Sequence, residues 1–192
     1  KKLFSYAAKP RTVNETPIGG NRTFSTGDSL KTSGGHEIRL KSKLSEGGEG
    51  SIFLIDETSC AKIYAPKKRT AFREEKLRLM CDRPVNISEV YWPLDRVFTQ
   101  DDEFVGFLMP IANGKPLNEK IFGKACIHEN FPNWNRRDLV RLSIKIASKA
   151  TSLNKKGVII GDINYTNFLI SSDSSVQLVD ADSMQLEDFP CL

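Results

Sequence analysis

Asp162, Asn167 five residues on, and Asp180 eighteen after Asp162 are the side chains in this sequence whose types and spacing could do chemistry. All three lie in GVIIGDINYTNFLISSDSSVQLVDAD, Gly157 to Asp182. Phe168 to Ile170 and Val176 to Val179 read as strands, and the SSDSS between them as turn chemistry, so a hairpin would bring Asn167 and Asp180 to one end. Two oxygen donors would then face one point. A hard cation such as Mg²⁺ takes few protein oxygens and keeps substrate phosphates, and Asp162, not needed for the metal, is left to receive a proton. An Asp and an Asn five apart are, alone, as readily a polar loop capping its own backbone. The rest of the chain must decide.

A second signal is LSEGGEGSIFLIDETSCAKIY, Leu44 to Tyr64. Gly47, Gly48 and Gly50 sit between two strand-like runs, where the backbone can bend tightly and approach a ligand with no Cβ in the way. No helix with Lys-Ser/Thr follows, which argues against a P-loop, and no βαβ unit follows, which argues against a dinucleotide fold. Lys62 comes next, with apolar neighbours Ala61 and Ile63. A lysine in a strand more often faces solvent. Period-two alternation puts it on one face with Cys60.

The elements that would position these groups can be read in order. SLKTSGGHEIRLKSKL from Ser29 is a β-hairpin about Gly34-Gly35, with Ile38 and Leu40 on one face. A helix runs from about Thr70, its N-cap, to Cys81, with Pro84 beyond its end, and carries adjacent acids Glu74 and Glu75. WPLDRVFTQDDEFVGFLMPIANGKPL reads as two strands around the QDDE turn, ending in a sheet-breaking Pro/Asn/Gly segment. Residues 118–135 read as irregular. Leu139, Leu142, Ile146, Ala150 and Leu153, at steps of three and four, form the core stripe of an amphipathic helix with Gly157 as its stop.

At 192 residues the chain can bury a real core in one or two lobes. Its net charge of +4 is spread along the sequence and gives no case for nucleic acid. No apolar run approaches a membrane span, and KKLFSYAAKP lacks a signal-peptide core. Cys60, Cys81, Cys126 and Cys191 are far apart, with no C-x-x-C pair; reduced thiols in a cytoplasmic protein are the expectation, and a zinc site is not. Lys1 to about Thr26, polar and without period, reads as an extension or linker.

Glycine loop, strand lysine, acidic helix, two-strand passage and Asp loop together resemble, in kind and order, the catalytic core of the protein kinase superfamily. More narrowly, GGEGSI, EEKLRLM, WPLDRVF, FVGFLMP, GDINYTNFLI and VDADSMQ are similar to the bacterial kinases of TerY–phosphatase–kinase systems and the related YegI and helix-hairpin-helix kinases, over Ile38 to the end. The resemblance implies an α+β, bilobal fold: a five-stranded antiparallel N-lobe sheet with one main helix, and a truncated, mainly helical C-lobe. Residues 1–26 would be an extension, 27–112 the N-lobe, and 113–192 a partial C-lobe ending early in the activation segment. It implies ATP- and Mg²⁺-dependent phosphoryl transfer to Ser/Thr of a protein, itself or a partner such as a metal-dependent phosphatase or a TerY-type protein.

The same resemblance assigns roles. Asp162 becomes the catalytic carboxylate, Asn167 and Asp180 the metal ligands, and Lys62 the phosphate-binding cation oriented by Glu74, or by Glu75 if the register shifts by one. The backbone of Gly47, Gly48 and Gly50 would cover the phosphates. Ile52, Cys60 and Leu169 would sandwich adenine, Met109 or Leu108 would guard its pocket, Pro110 would offer a carbonyl, and Ala112 an N–H.

Several positions depart from the standard kinase pattern. Ser45 stands for the first glycine, Ile160-Gly161 for His-Arg, Asn164 for a lysine, and Ala181-Asp182 for Phe-Gly. Asp182 is read first as a turn or helix cap and second as a further metal ligand. The chain ends at Leu192, short of a full C-lobe. A pseudokinase binding module is the second reading and a small-molecule kinase the third.

Overall fold

The computed structural model describes residues 11–117, 124–171 and 175–191. Alternating apolar positions from Ser29 to Pro110 build one antiparallel sheet. Its strands are β1 (Ser29–Thr32), β2 (Glu37–Arg39), β3 (Lys43–Gly47), β4 (Gly50–Leu54), β5 (Ser59–Tyr64), β6 (Asp95–Phe98) and β7 (Phe104–Pro110), in spatial order β2-β1-β6-β7-β5-β4-β3. The sequence reading of five strands is corrected to seven among the described residues. Strands β3 to β7 are contiguous, and the Gly34-Gly35 hairpin extends them by pairing Lys31 with Phe98 and Thr32 with Val97. That pairing satisfies the edge of β6, whose backbone groups would otherwise stand open.

The two faces of the sheet bury different cores. One collects Leu30, Leu40, Phe53, Ala61, Ile63, Val97 and Val105, with Phe24 packed among them. On the other, Cys60, Tyr64, Phe107 and Met109 meet Leu77 and Met80 of helix α1 (Ala71–Asp82). Thr70 caps α1 as its sequence foretells, its side chain accepting from the Arg73 N–H at 3.2 Å. This second core continues through Leu142, Leu153, Val158, Phe168, Ile170, Val176 and Leu178, so the sheet and the part that follows share one apolar interior.

That following part holds β8 (Lys115–Pro116), α2 (Lys124–Asn130), α3 (Arg136–Lys155), β9 (Val158–Ile159), β10 (Phe168–Ile170), β11 (Val176–Leu178) and β12 (Gln185–Leu186). Strands β11-β10-β8 form one small sheet and β12-β9 another. Helix α2 falls where the sequence reads as irregular. It is short and anchored by Ile127, with Phe131 just past its end stacked on Trp134 at 4.2 Å. Helix α3 starts with a capping box between Asn135 and Asp138, buries Leu142 and Leu153, and stops before Gly157, whose φ of +80° suits a residue without a Cβ.

Residues 11–26 lie against this body. The Ile18 N–H donates to the Arg69 carbonyl at 2.6 Å, and Arg11 reaches both Glu75 and Asp188. No helix among the described residues is long and apolar enough to cross a membrane.

Candidate functional site

Strand β5 is flanked by β4 and β7, and the register sets Ile52, Lys62 and Phe107 side by side on the face toward α1. Lys62 is therefore buried, at 7% exposure. Its Nζ donates to Asp180 Oδ1 at 2.7 Å, Asp182 Oδ2 and Oδ1 at 2.9 and 3.1 Å, and Glu49 Oε2 at 3.1 Å. Burial alone would lower the Lys62 pKa; the charges of Asp182, Asp180 and Glu49 outweigh it and hold the ammonium well above its ordinary value. Tyr64, two residues along and so on the same face, donates its O–H to Asp182 Oδ2 at 2.6 Å. Burial opposes the charge on Asp182, but Lys62 and the Tyr64 hydroxyl prevail and keep its carboxyl below the usual range.

Gly47 and Gly50 pair across β3 and β4, leaving Gly48 and Glu49 as a two-residue turn. Gly50 is needed there because a Cβ would run into the Ile63 carbonyl oxygen of β5. Beside Gly47 and Gly48 a Cβ would meet nothing within 4 Å, so that backbone borders open space. Glu49 bends back under the turn, where its carboxylate accepts from Arg73 at 2.7 Å as well as from Lys62. Those cations, against the effect of burial, lower its pKa.

Helix α1 presents the opposite charge to that expected of it. Its inward residues, at steps of three and four, are Arg73, Lys76, Leu77 and Met80; Arg73 and Lys76 are buried. Glu74 turns away and accepts from Arg96 at 3.2 Å, and Glu75 meets Arg11 at 2.8 Å. The Lys62–Glu74 pair read from the sequence is thus replaced in this structure. Leu77 and Met80 do face inward, but the residue one turn before them on that face is Arg73.

The hairpin of β10 and β11 brings Asn167 and Asp180 to one end. Phe168 pairs with Leu178, and the Val179 N–H donates to the Asn167 carbonyl at 3.0 Å. Asn167 Nδ2 in turn donates to Asp162, at 3.3 Å to Oδ2 and 3.4 Å to the backbone oxygen. Asp162 itself is exposed. Asn164 folds its side chain back on the Thr166 N–H at 3.0 Å, a local turn that shapes the loop. Asp180 adopts the left-handed conformation, φ +60°. Burial, with the neighbouring Asp182 charge, pushes its pKa up against the pull of Lys62.

The cap reading of Asp182 is corrected. The short helical turn Ala181–Ser183 that follows Asp180 has no side-chain cap, and the Asp182 carboxylate goes instead to Lys62 and Tyr64. Gly161, at the position of an arginine in the standard kinase pattern, is explained by Cys191: a Cβ at 161 would collide with that side chain, which lies close against the Asp162 loop. The pairing of Leu186 with Val158 ties the segment after Asp182 to the strand before Asp162.

Of the residues that the resemblance assigns to adenine, Ile52, Cys60 and Met109 share one face of the large sheet, whereas Leu169 lies on β10 of the small one. Cys60 pairs with Met109, and its Sγ lies 3.8 Å from the Pro110 carbonyl; burial pushes its thiol up to about 11. Leu108 pairs with Ala61 and packs with the opposite core, so Met109 is the one facing Cys60. Ile52 and Leu169 are half-buried, as are Pro110 and Ala112. The Asn113 N–H donates to Gln177 of β11 at 3.2 Å, which joins the end of the large sheet to the hairpin carrying Leu169.

The donors suit Mg²⁺ in kind. Carboxylate oxygens of Glu49, Asp180 and Asp182 lie within 4.8 Å of one another, while the Asn167 side chain turns its nitrogen to Asp162 and its oxygen to the Thr166 hydroxyl at 3.5 Å.

The glycine hairpin, the strand lysine and the Asp180–Asp182 segment meet here around one cluster, and the chain is a protein kinase-like domain of α+β build. It is similar to the protein kinase YegI of Escherichia coli K12, 31% identical over an alignment of 161 residues that covers 81% of this chain, and to that of E. coli O157:H7, 30% identical over an alignment of 163 residues that covers 82% of the chain. The chain spans about a quarter of the length of these curated relatives, 24% and 25% respectively. No protein-family model matches it.

Proposed function

We propose that this domain transfers the terminal phosphoryl group of ATP, with Mg²⁺, to a Ser or Thr hydroxyl of a protein in the cytoplasm. One bonded path supports the reading: Lys62 to Asp180 at 2.7 Å, Val179 to Asn167 at 3.0 Å, and Asn167 to Asp162 at 3.3 Å. Asp162 orients the acceptor hydroxyl and takes its proton as the oxygen bonds to phosphorus and the bond to ADP breaks. Lys62 neutralises phosphate oxygens, and the backbone from Gly47 to Gly50 covers them. Asn167 and Asp180 would hold Mg²⁺, which supplies charge neutralisation at the transferring phosphate. Ile52, Cys60, Met109 and Leu169 line the base, with Pro110 and Ala112 offering backbone groups to its edge. The acceptor is this chain or a partner, of which a metal-dependent phosphatase and a TerY-type protein are the candidates.

A nucleotide-binding pseudokinase is the second reading, favoured by the closure of three carboxylates on Lys62. Thermal unfolding with and without Mg²⁺-ATP, on this chain and on Asp180→Ala, tests the site, because a ligand of the folded state raises its apparent stability. A metal-dependent rise lost in Asp180→Ala is expected, followed by transfer of labelled phosphate. Stabilisation without transfer would select the pseudokinase, and no stabilisation would overturn the nucleotide site.

A further inference from the structure

We infer that Asp182, and not an acid of helix α1, is the positioning residue that orients Lys62, so that the lysine's counter-charge has been transposed from the helix to the segment after β11. The inference rests on the proposed phosphoryl-transfer reading, and it refines the assignment of one charge within that site.

Four observations carry it. The inward face of α1 holds Arg73 and Lys76, cations that cannot pair with Lys62, while Glu74 and Glu75 are engaged elsewhere by Arg96 and Arg11. Asp182 is 2% exposed and gives both carboxylate oxygens to Lys62. Tyr64 fixes the rotamer by donating to Oδ2, and Arg73 NH1 lies 4.0 Å away, adding positive charge behind it. Arg73 NH1 has no hydrogen-bond partner of its own: the guanidinium bonds through NH2 to Glu49 at 2.7 Å, and the carboxylate that NH1 approaches is Asp182.

The two other partners of Lys62 are differently placed. Glu49 sits on the turn between β3 and β4, with a third of its side chain exposed, and can leave when phosphates arrive. Asp180 stands at the end of the hairpin beside Asn167, with its side chain 28% exposed, and can turn to a cation. Asp182 has no such exit. Holding the ammonium before the nucleotide binds removes part of the ordering cost from the binding step.

The test is nucleotide titration of the wild type, Glu74→Gln and Asp182→Asn, with Mg²⁺ and in EDTA, beside unfolding curves of the same proteins. Glu74→Gln is expected to stay within twofold of wild type in affinity. Asp182→Asn is expected to lose tenfold or more to the same extent with Mg²⁺ and in EDTA, at a temperature where it remains folded. A tenfold loss in Glu74→Gln would overturn the inference. So would a loss in Asp182→Asn confined to Mg²⁺, which would make it a metal ligand.

Double-mutant unfolding cycles with Lys62→Met need no nucleotide, and so separate failure of this inference from failure of the kinase reading. Lys62 and Asp182 should be non-additive by more than tenfold in the unfolding constant, and Lys62 and Glu74 additive. Additivity of Lys62 with Asp182 would overturn the inference even if ATP binds, and coupling without ATP binding would overturn the kinase reading on which the positioning role rests.

Discussion

The Tyr64 hydroxyl and Lys62 Nζ converge on the same oxygen of Asp182, at 2.6 and 2.9 Å. The phenol is wholly buried, and burial together with the Asp182 charge pushes its pKa well up, so it remains a donor. Tyr64→Phe removes that donor and nothing else of comparable size. A buried carboxylate losing one hydrogen bond should cost about 1–3 kcal/mol of stability. Urea unfolding at neutral pH measures it, and an unchanged midpoint with an unchanged slope would show that Lys62 alone satisfies the oxygen.

Asp162 has a different character. It is exposed, and its side chain meets Asn167 at 3.3 Å. Replacing it by Asn should leave nucleotide affinity unaltered and lower the transfer rate by about 10² to 10⁴, the usual contribution of a general base. Calorimetric titration and a single-turnover assay on the same preparation separate the two effects. Loss of nucleotide binding would make Asp162 a structural or metal residue.

Much of this site could be read from residue order because it depends on local rules. The two apolar runs pair as Phe168–Leu178, Leu169–Gln177 and Ile170–Val176, and that register brings Asn167 near Asp180. Alternation alone places Cys60 and Lys62 on one face, and Thr70 and Gly157 mark helix ends by their chemistry. The partner of Lys62 was less accessible, since it depends on which α1 residue turns inward. Leu77 and Met80 were the right guides, but counting back one turn from Leu77 leads to Arg73, which would have warned that the helix brings cations. The destination of Asp182 depends on a contact across more than a hundred residues, and no local pattern distinguishes it from a turn cap. The Gly34-Gly35 hairpin was legible, whereas its attachment to β6 was a tertiary choice.

Glu49 competes for the cations that phosphates would use. It accepts from Lys62 at 3.1 Å and Arg73 at 2.7 Å from a turn whose glycines border open space. Glu49→Gln removes the charge but keeps the length, so ATP should bind several-fold more tightly, equivalent to roughly 1 kcal/mol. Titration with a fluorescent nucleotide reads this directly. Weaker binding in the variant would mean that the carboxylate assists the nucleotide.

Lys76 provides a pH signature. It is 1% exposed and donates to the Pro190 carbonyl at 3.2 Å, and burial lowers its pKa from 10.5 to about 8 despite opposing help from Asp182, Cys191 and Asp180; Arg73 adds to the lowering. In the unfolded chain an ordinary lysine keeps its proton to about 10.5, so between about 8 and 10.5 the unfolded state binds more protons and stability rises with pH. Below about 8 both states are protonated, and the full penalty, roughly 3 kcal/mol, is present. Lys76→Met escapes it but loses the bond to Pro190, worth about 1 kcal/mol, so the variant should be the more stable protein at pH 7. Its advantage should shrink as pH climbs through that window and vanish or reverse near its upper end. Paired urea titrations from pH 7 to 10.5 measure the difference, and a constant gap would show that Lys76 titrates alike in the folded and unfolded chain.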